Sequence, residues 1–273
     1  MSEAAGIRFR FGANWQSFAA EIGPARIAEA EAGLRRLFPA GEIEGCRFLD
    51  IGCGSGLSAL AALRLGAAHV SAIDLDAQSV ATTQSVLRKF ASAASWDVQQ
   101  KSVFDLAPDA ERPHGILYSW GVLHHTGRMW DALARCCALV PDGGRLAAAL
   151  YRRTPICGLW RVEKRFYAGA GPAAQKTVRA LYKTAYGAGL LATGRNPAHY
   201  VAGYKSARGM DWHHDVHDWL GGYPYESTDP EAVRDFLARH GFAIERMFER
   251  PAAAKGLFGS HCDEYVAVRT TGR

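Results

Sequence analysis

The 273-residue chain is 48% hydrophobic and 22% charged, with a formal net charge of +5. That is ample material for the core of one large domain, or of a domain with an insertion. The basic groups at Arg35-Arg36, Arg152-Arg153 and Arg161–Arg165 read as scattered solvated charge, which argues against a nucleic-acid-binding stripe.

In chain order, residues 1–44 read as an N-terminal helical arm. Its leading segment, Phe9 to Phe18, is unusually aromatic. Ile27, Ala30, Leu34 and Leu37 then recur on one face of a helix over 24–37. From Cys46 to Tyr151 short apolar runs alternate with helical patterns. That alternation implies a parallel sheet with helices on both faces. Residues 152–227 break it, with helices around Cys157–Ala168 and Ala173–Leu191 and then a loop rich in Trp, His, Tyr and Gly. This stretch is too long for an idle connection, so it reads as an inserted substrate cap. In residues 228–273, Thr228-Asp-Pro-Glu231 reads as a capping box opening a helix to about His240, stopped by Gly241. Phe242–Glu249 and Glu264–Arg269 read as the last two strands.

The first strand ends in Asp50-Ile-Gly52-Cys-Gly54-Ser-Gly56. The dinucleotide fingerprint needs G-x-G-x-x-G, and Leu57 occupies its third glycine position. A P-loop needs Gly-Lys-Ser/Thr, and no lysine follows. Val70–Asp74 is a second apolar run ending in a carboxylate. Gly115 to Thr126 supplies a further strand and its exit loop, and Pro141-Asp-Gly-Gly144 is a turn before the strand Arg145–Tyr151. In this order, over roughly residues 45–151, these segments resemble class I S-adenosylmethionine-dependent methyltransferases.

The resemblance implies a Rossmann-like doubly wound α/β fold. Its sheet would be seven-stranded and mostly parallel, ending in an antiparallel hairpin, with the arm and the cap added. It implies S-adenosylmethionine as methyl donor and S-adenosylhomocysteine as product. Gly52, Cys53, Gly54 and Gly56 would form the loop that approaches the donor closely. Asp50 would orient that loop, Asp74 would take the ribose hydroxyls, and Leu75 would pack on adenine. Ser102 and Val103 fall where the family often has an acid and an apolar residue, so Ser102 is a departure. Ser119 and Trp120 would line the methionine side. The N-terminal segment would close the site as a lid, with Asn14 and Trp15 near the methionine end.

On the acceptor side His124, His125 and His214 are the candidate bases, because imidazole titrates near neutrality. His213, His217, Tyr223 and Tyr225 are further acceptor contacts. The spacing of His213, His214 and His217 invites a metal reading, but i, i+1 and i+4 do not share one helical face, and no metal is expected. The six cysteines include no C-x-x-C pair. Free thiols, a soluble cytoplasmic protein, and no membrane or nucleic-acid partner are the expectations, with a small molecule methylated at oxygen or nitrogen. The alternatives are an RNA or protein methyltransferase, a non-catalytic regulatory module, and a nicotinamide oxidoreductase.

Overall fold

The computed structural model describes residues 7, 9, 11–39, 41–109, 111–208, 212–249 and 256–271. The arm contributes α1 (Gly12–Ala19) and α2 (Pro24–Leu37); its first six residues lie outside the described ones. Then follow β1 (Arg47–Ile51), α3 (Leu57–Arg64), β2 (His69–Asp74), α4 (Ala77–Phe90), β3 (Trp96–Gln100), β4 (Ile116–Trp120), α5 (Met129–Leu139) and β5 (Arg145–Tyr151). Helices α6 (Cys157–Gly169), α7 (Pro172–Ala192), α8 (Pro197–Arg208) and α9 (Trp212–Gly221) stand before α10 (Pro230–Arg239), β6 (Phe242–Phe248) and β7 (Cys262–Arg269).

The strands form one seven-stranded sheet in the order β3-β2-β1-β4-β5-β7-β6. Neighbours from β3 to β5 are parallel, whereas β7 runs antiparallel to both β5 and β6. Strands β1 and β4 are almost wholly buried because helices cover both faces of a parallel sheet. The pleat divides their side chains between two cores. Phe48, Val70 and Ile116 face α3 and α4, while Leu49, Ile73 and Leu117 face α5 and α10. Cys136 and Cys137 are buried in the second core.

The sequence reading of a loop after Leu191 is corrected by α8 and α9. Trp212, Val216 and Leu220 recur at four-residue intervals and are buried. Their stripe packs with Cys157, Trp160 and Tyr167 in a third cluster. The intervening His and Asp residues are weak helix formers, so tertiary packing stabilises the helix where propensity does not. The two ends of the insertion meet on the core, where Arg153 N–H donates to the Thr228 carbonyl (2.8 Å) and Thr228 N–H to that of Tyr151 (2.9 Å). The expected capping box is also corrected. Asp229 is the N-cap of α10 and makes no side-chain cap bond, so Pro230 starts the helix by its preset φ.

Candidate active site

Strand order reverses between β1 and β4, which places a crevice at their carboxyl ends. A cavity of about 670 Å³ lies there, within the range of small-ligand sites. The loop after β1 is pinned to β2, with Gly52 and Cys53 N–H groups both donating to the Ile73 carbonyl (2.8 and 3.0 Å). Gly52 and Gly54 have φ of +78° and +51°. A Cβ on Gly52 would stand 2.3 Å from a Val122 methyl, and one on Gly54 would stand 3.1 Å from the Trp15 indole. Gly56 is the left-handed N-cap of α3. Of these loop residues Gly52 lines the cavity. Cys53 is buried behind it, receiving the Thr83 hydroxyl on its sulfur at 3.3 Å, and burial pushes its thiol up.

Asp74 lines the cavity at the end of β2. Its Oδ2 accepts Gly54 N–H (3.1 Å) and its Oδ1 accepts Asp76 N–H (2.9 Å). Each oxygen retains a further acceptor site. Burial raises its pKa against the lowering effect of those backbone bonds. Asp50 lies outside the lining, 2% exposed, with Oδ2 unpartnered. Burial first, and then the charge on Asp74, push its carboxyl up to about 7.

The arm closes over this loop. Gly12 N–H donates to Asp76 Oδ2 (3.2 Å), Gln78 donates to Gln16 (2.6 Å), and Trp15 lines the cavity from above Gly54. Leu75, Ser102 and Val103 form one end of the lining. Leu75 is 47% exposed, while the Ser102 hydroxyl accepts Phe104 N–H at 3.3 Å. Trp120 lines the other side, stacked on Tyr118. Ser119 is buried outside the lining, its hydroxyl donating to the Ile51 carbonyl at 3.3 Å.

The two adjacent histidines diverge. His125 lines the cavity and donates from Nδ1 to the Pro224 carbonyl (2.8 Å), which leaves Nε2 as the basic nitrogen. Burial depresses its pKa to about 4, over the opposing influence of that bond. His124 is fully buried under Tyr151, ring to ring at 3.8 Å. Its Nδ1 accepts Tyr151 N–H (3.3 Å), and Nε2 has no partner. Burial holds this ring well below its usual pKa.

Tyr223 lines the cavity. Tyr225 is buried away from it, its hydroxyl 2.6 Å from Ser260 Oγ and 3.1 Å from Cys157 Sγ. The three histidines of α9 also lie outside the lining. His214 meets the Ser17 hydroxyl at 3.1 Å, His213 is exposed beside Lys183, and His217 Nδ1 accepts the Tyr167 hydroxyl at 2.6 Å. Among the described residues no group of three or more His, Cys, Asp or Glu could hold a metal ion.

The family model for ribosomal protein L11 methyltransferase (PrmA) matches residues 37–108. The ribosomal protein L11 methyltransferase of Dechloromonas aromatica is 37% identical over 114 residues, covering 41% of this chain and 35% of that protein. The ubiquinone biosynthesis O-methyltransferase of Xanthomonas axonopodis pv. citri is 33% identical over 134 residues, covering 49% of this chain and 52% of that one. The chain thus spans between about a third and a half of the length of these curated relatives. The magnesium protoporphyrin IX methyltransferase of Synechocystis PCC 6803, solved with S-adenosylhomocysteine, superposes with a TM-score of 0.55 at 15% identity, covering 94% of both chains. The chain has the fold of class I S-adenosylmethionine-dependent methyltransferases.

The residues present fit the donor of that family. Gly52 brings main chain into the lining, Asp74 offers two carboxylate oxygens, and Leu75 and Val103 supply apolar surface. Sequence reasoning noted the aromatic arm but not that Phe9 and Phe11 themselves line the cavity. It also missed Gln78, Gln100 and Thr126. Gln100 ends β3, and Gln78 and Thr126 follow the ends of β2 and β4 by a few residues; that proximity was the available signal.

Proposed function

We propose that the chain transfers a methyl group from S-adenosylmethionine to an oxygen or nitrogen of a small-molecule acceptor. The observation that carries this reading is a single cavity bounded at one side by Gly52 and Asp74 and at another by His125 and Tyr223. Bound there, the sulfonium donor supplies an electrophilic methyl group. Asp74 holds the ribose hydroxyls by charge-assisted hydrogen bonds. Trp15, Phe9 and Phe11 exclude water. Positioning of this kind contributes up to ~7–11 kcal/mol in favourable cases. His125, neutral at physiological pH, accepts the proton of a hydroxyl or amine acceptor at Nε2. Residues 152–227 act as the substrate cap, and Tyr223 and Pro224 carry it to the cavity rim.

Support for a small acceptor comes from the size of the cavity, about 670 Å³, and from the likeness to ubiquinone biosynthesis O-methyltransferases. A protein acceptor is the second reading, favoured by the PrmA match. That match ends at residue 108, before β4 and His125, so it covers donor-side elements and is silent on the acceptor. Calorimetric titration with S-adenosylhomocysteine, with NADH as control, is the first test. One-site binding of the former alone supports the donor assignment and leads to an acceptor screen with labelled donor. Absence of that binding removes the methyl-transfer reading.

A further inference from the structure

The inserted helices have inverted polarity. A helix facing water turns its charges outward and its apolar stripe inward. In α7, which is 21 residues long, Lys176 is the one charged residue among the exposed positions. Its large exposed apolar side chains are Leu181 and Leu191, at 66% and 65%. Of its other charges, Arg179 is half-buried and donates to the Tyr167 hydroxyl (2.6 Å), and Lys183 is half-buried and meets the exposed His213. Helix α6 repeats the pattern. Leu159, Val162 and Phe166 follow at i, i+3 and i+7 and are 66%, 67% and 59% exposed. Lys164 of the same helix is fully buried, its Nζ 3.6 Å above the Trp219 ring. Single exposed apolar residues are ordinary, but five large ones on two consecutive helices call for a partner.

Charge identifies that partner. Residues 152–208 carry eleven Lys or Arg and one carboxylate, Glu163. Their net charge of +10 stands against −5 for the rest of the chain, whose total is +5. Arg161 and Arg165 are exposed in the stripe of α6 beside its apolar one. Eleven of the chain's 32 basic residues thus fall in the segment that exposes its leucines, where carboxylates are nearly absent.

We propose that the outer face of α6 and α7 docks peripherally on an anionic lipid surface. Leu159, Val162, Phe166, Leu181 and Leu191 enter the boundary between headgroups and acyl chains, and the exposed Arg161, Arg165 and Lys176 of the same helices meet the anionic headgroups. Among the described residues no helix is long and apolar enough to cross a membrane, so the contact is peripheral. A second copy is disfavoured, because two-fold pairing through this face would set the exposed Arg161, Arg165 and Lys176 of each copy against those of the other. Nucleic acid would answer the charge but leave the aliphatic side chains without a partner. The proposal revises the expectation of no membrane association and does not rest on methyl transfer.

The test is cosedimentation with vesicles of phosphatidylcholine alone or mixed with phosphatidylglycerol. Partition onto the anionic vesicles is expected to exceed that onto neutral ones by about tenfold or more and to weaken as salt rises. The double variant Phe166→Glu with Leu181→Glu should lose it by about tenfold or more while keeping its melting temperature and S-adenosylhomocysteine affinity. Absence of partition onto anionic vesicles overturns the proposal, as does partition that the double variant leaves unchanged. A dimer seen in light scattering and dissolved by the double variant assigns the face to a second copy and also overturns it. Binding to RNA that survives the double variant, with no vesicle binding, has the same consequence.

Discussion

Asp74 holds Gly54 in place and also lines the cavity. Replacing it by Ala should weaken S-adenosylhomocysteine binding by ~1–3 kcal/mol, the range for lost charge-assisted hydrogen bonds. Calorimetry on Asp74→Ala checks this, and unchanged affinity would remove Asp74 from the ribose role. His125→Ala should lower turnover by about a hundredfold or more with donor affinity nearly intact, as general-base removal does. Because burial holds the His125 pKa at about 4, the base stays available from neutral pH down to about 5 and is lost near 4. With an acceptor that does not titrate in that range, the rate profile should be flat until then. A fall centred at 6–7 would mean that another group carries the proton. His124→Ala should register first in the melting temperature, because that ring fills space under Tyr151.

At the scale of elements, the turn from β1 into α3 was legible as a glycine pattern, whereas the reason for each glycine was not. Gly52 is required by a neighbour 70 positions along the chain, Val122, and Gly54 by an indole from the arm. Gly52→Ala should cost ~1–2 kcal/mol from the left-handed φ, plus the clash. Adding Val122→Ala should recover the clash and leave the φ cost, which urea unfolding of the two variants resolves. Trp15→Ala should weaken donor binding and speed its dissociation, measured by stopped-flow fluorescence, if α1 is the lid. Helix α9 escaped sequence reading because its apolar stripe is interrupted by histidines and aspartates. Their partners, Ser17, Tyr167 and Lys183, lie on other elements.

Over the whole molecule, buried titratable groups set opposing pH dependences. His125 and His217 are both depressed to about 4, so unfolding takes up protons as pH falls from about 6.5 to 4 and stability is lost in that window. Asp50 acts oppositely. Its carboxyl keeps a proton up to about 7 in the fold but loses it near 3.8 when unfolded, so its contribution declines as pH rises between those values. Asp50→Asn should therefore make stability rise more steeply with pH between about 4 and 7 than in the parent chain. Urea midpoints measured across that range check it, and an unchanged slope would show that Asp50 is ionised in the fold.

The sequence by itself determined the alternation of core strands and helices, the glycine turn and the acid at the end of β2, while the antiparallel ending came from the family resemblance. The former are carried by local patterns of period 2 or 3.6 and by residues with special backbone preferences. Only the tertiary structure decided which candidates share a cavity. His124 and His125 are adjacent in sequence, yet one is sealed under Tyr151 and the other lines the site. The same holds for the insertion, where Arg179 reaches the Tyr167 hydroxyl and Leu181 faces outward. Burial depends on what packs against each face, and that comes from segments far along the chain.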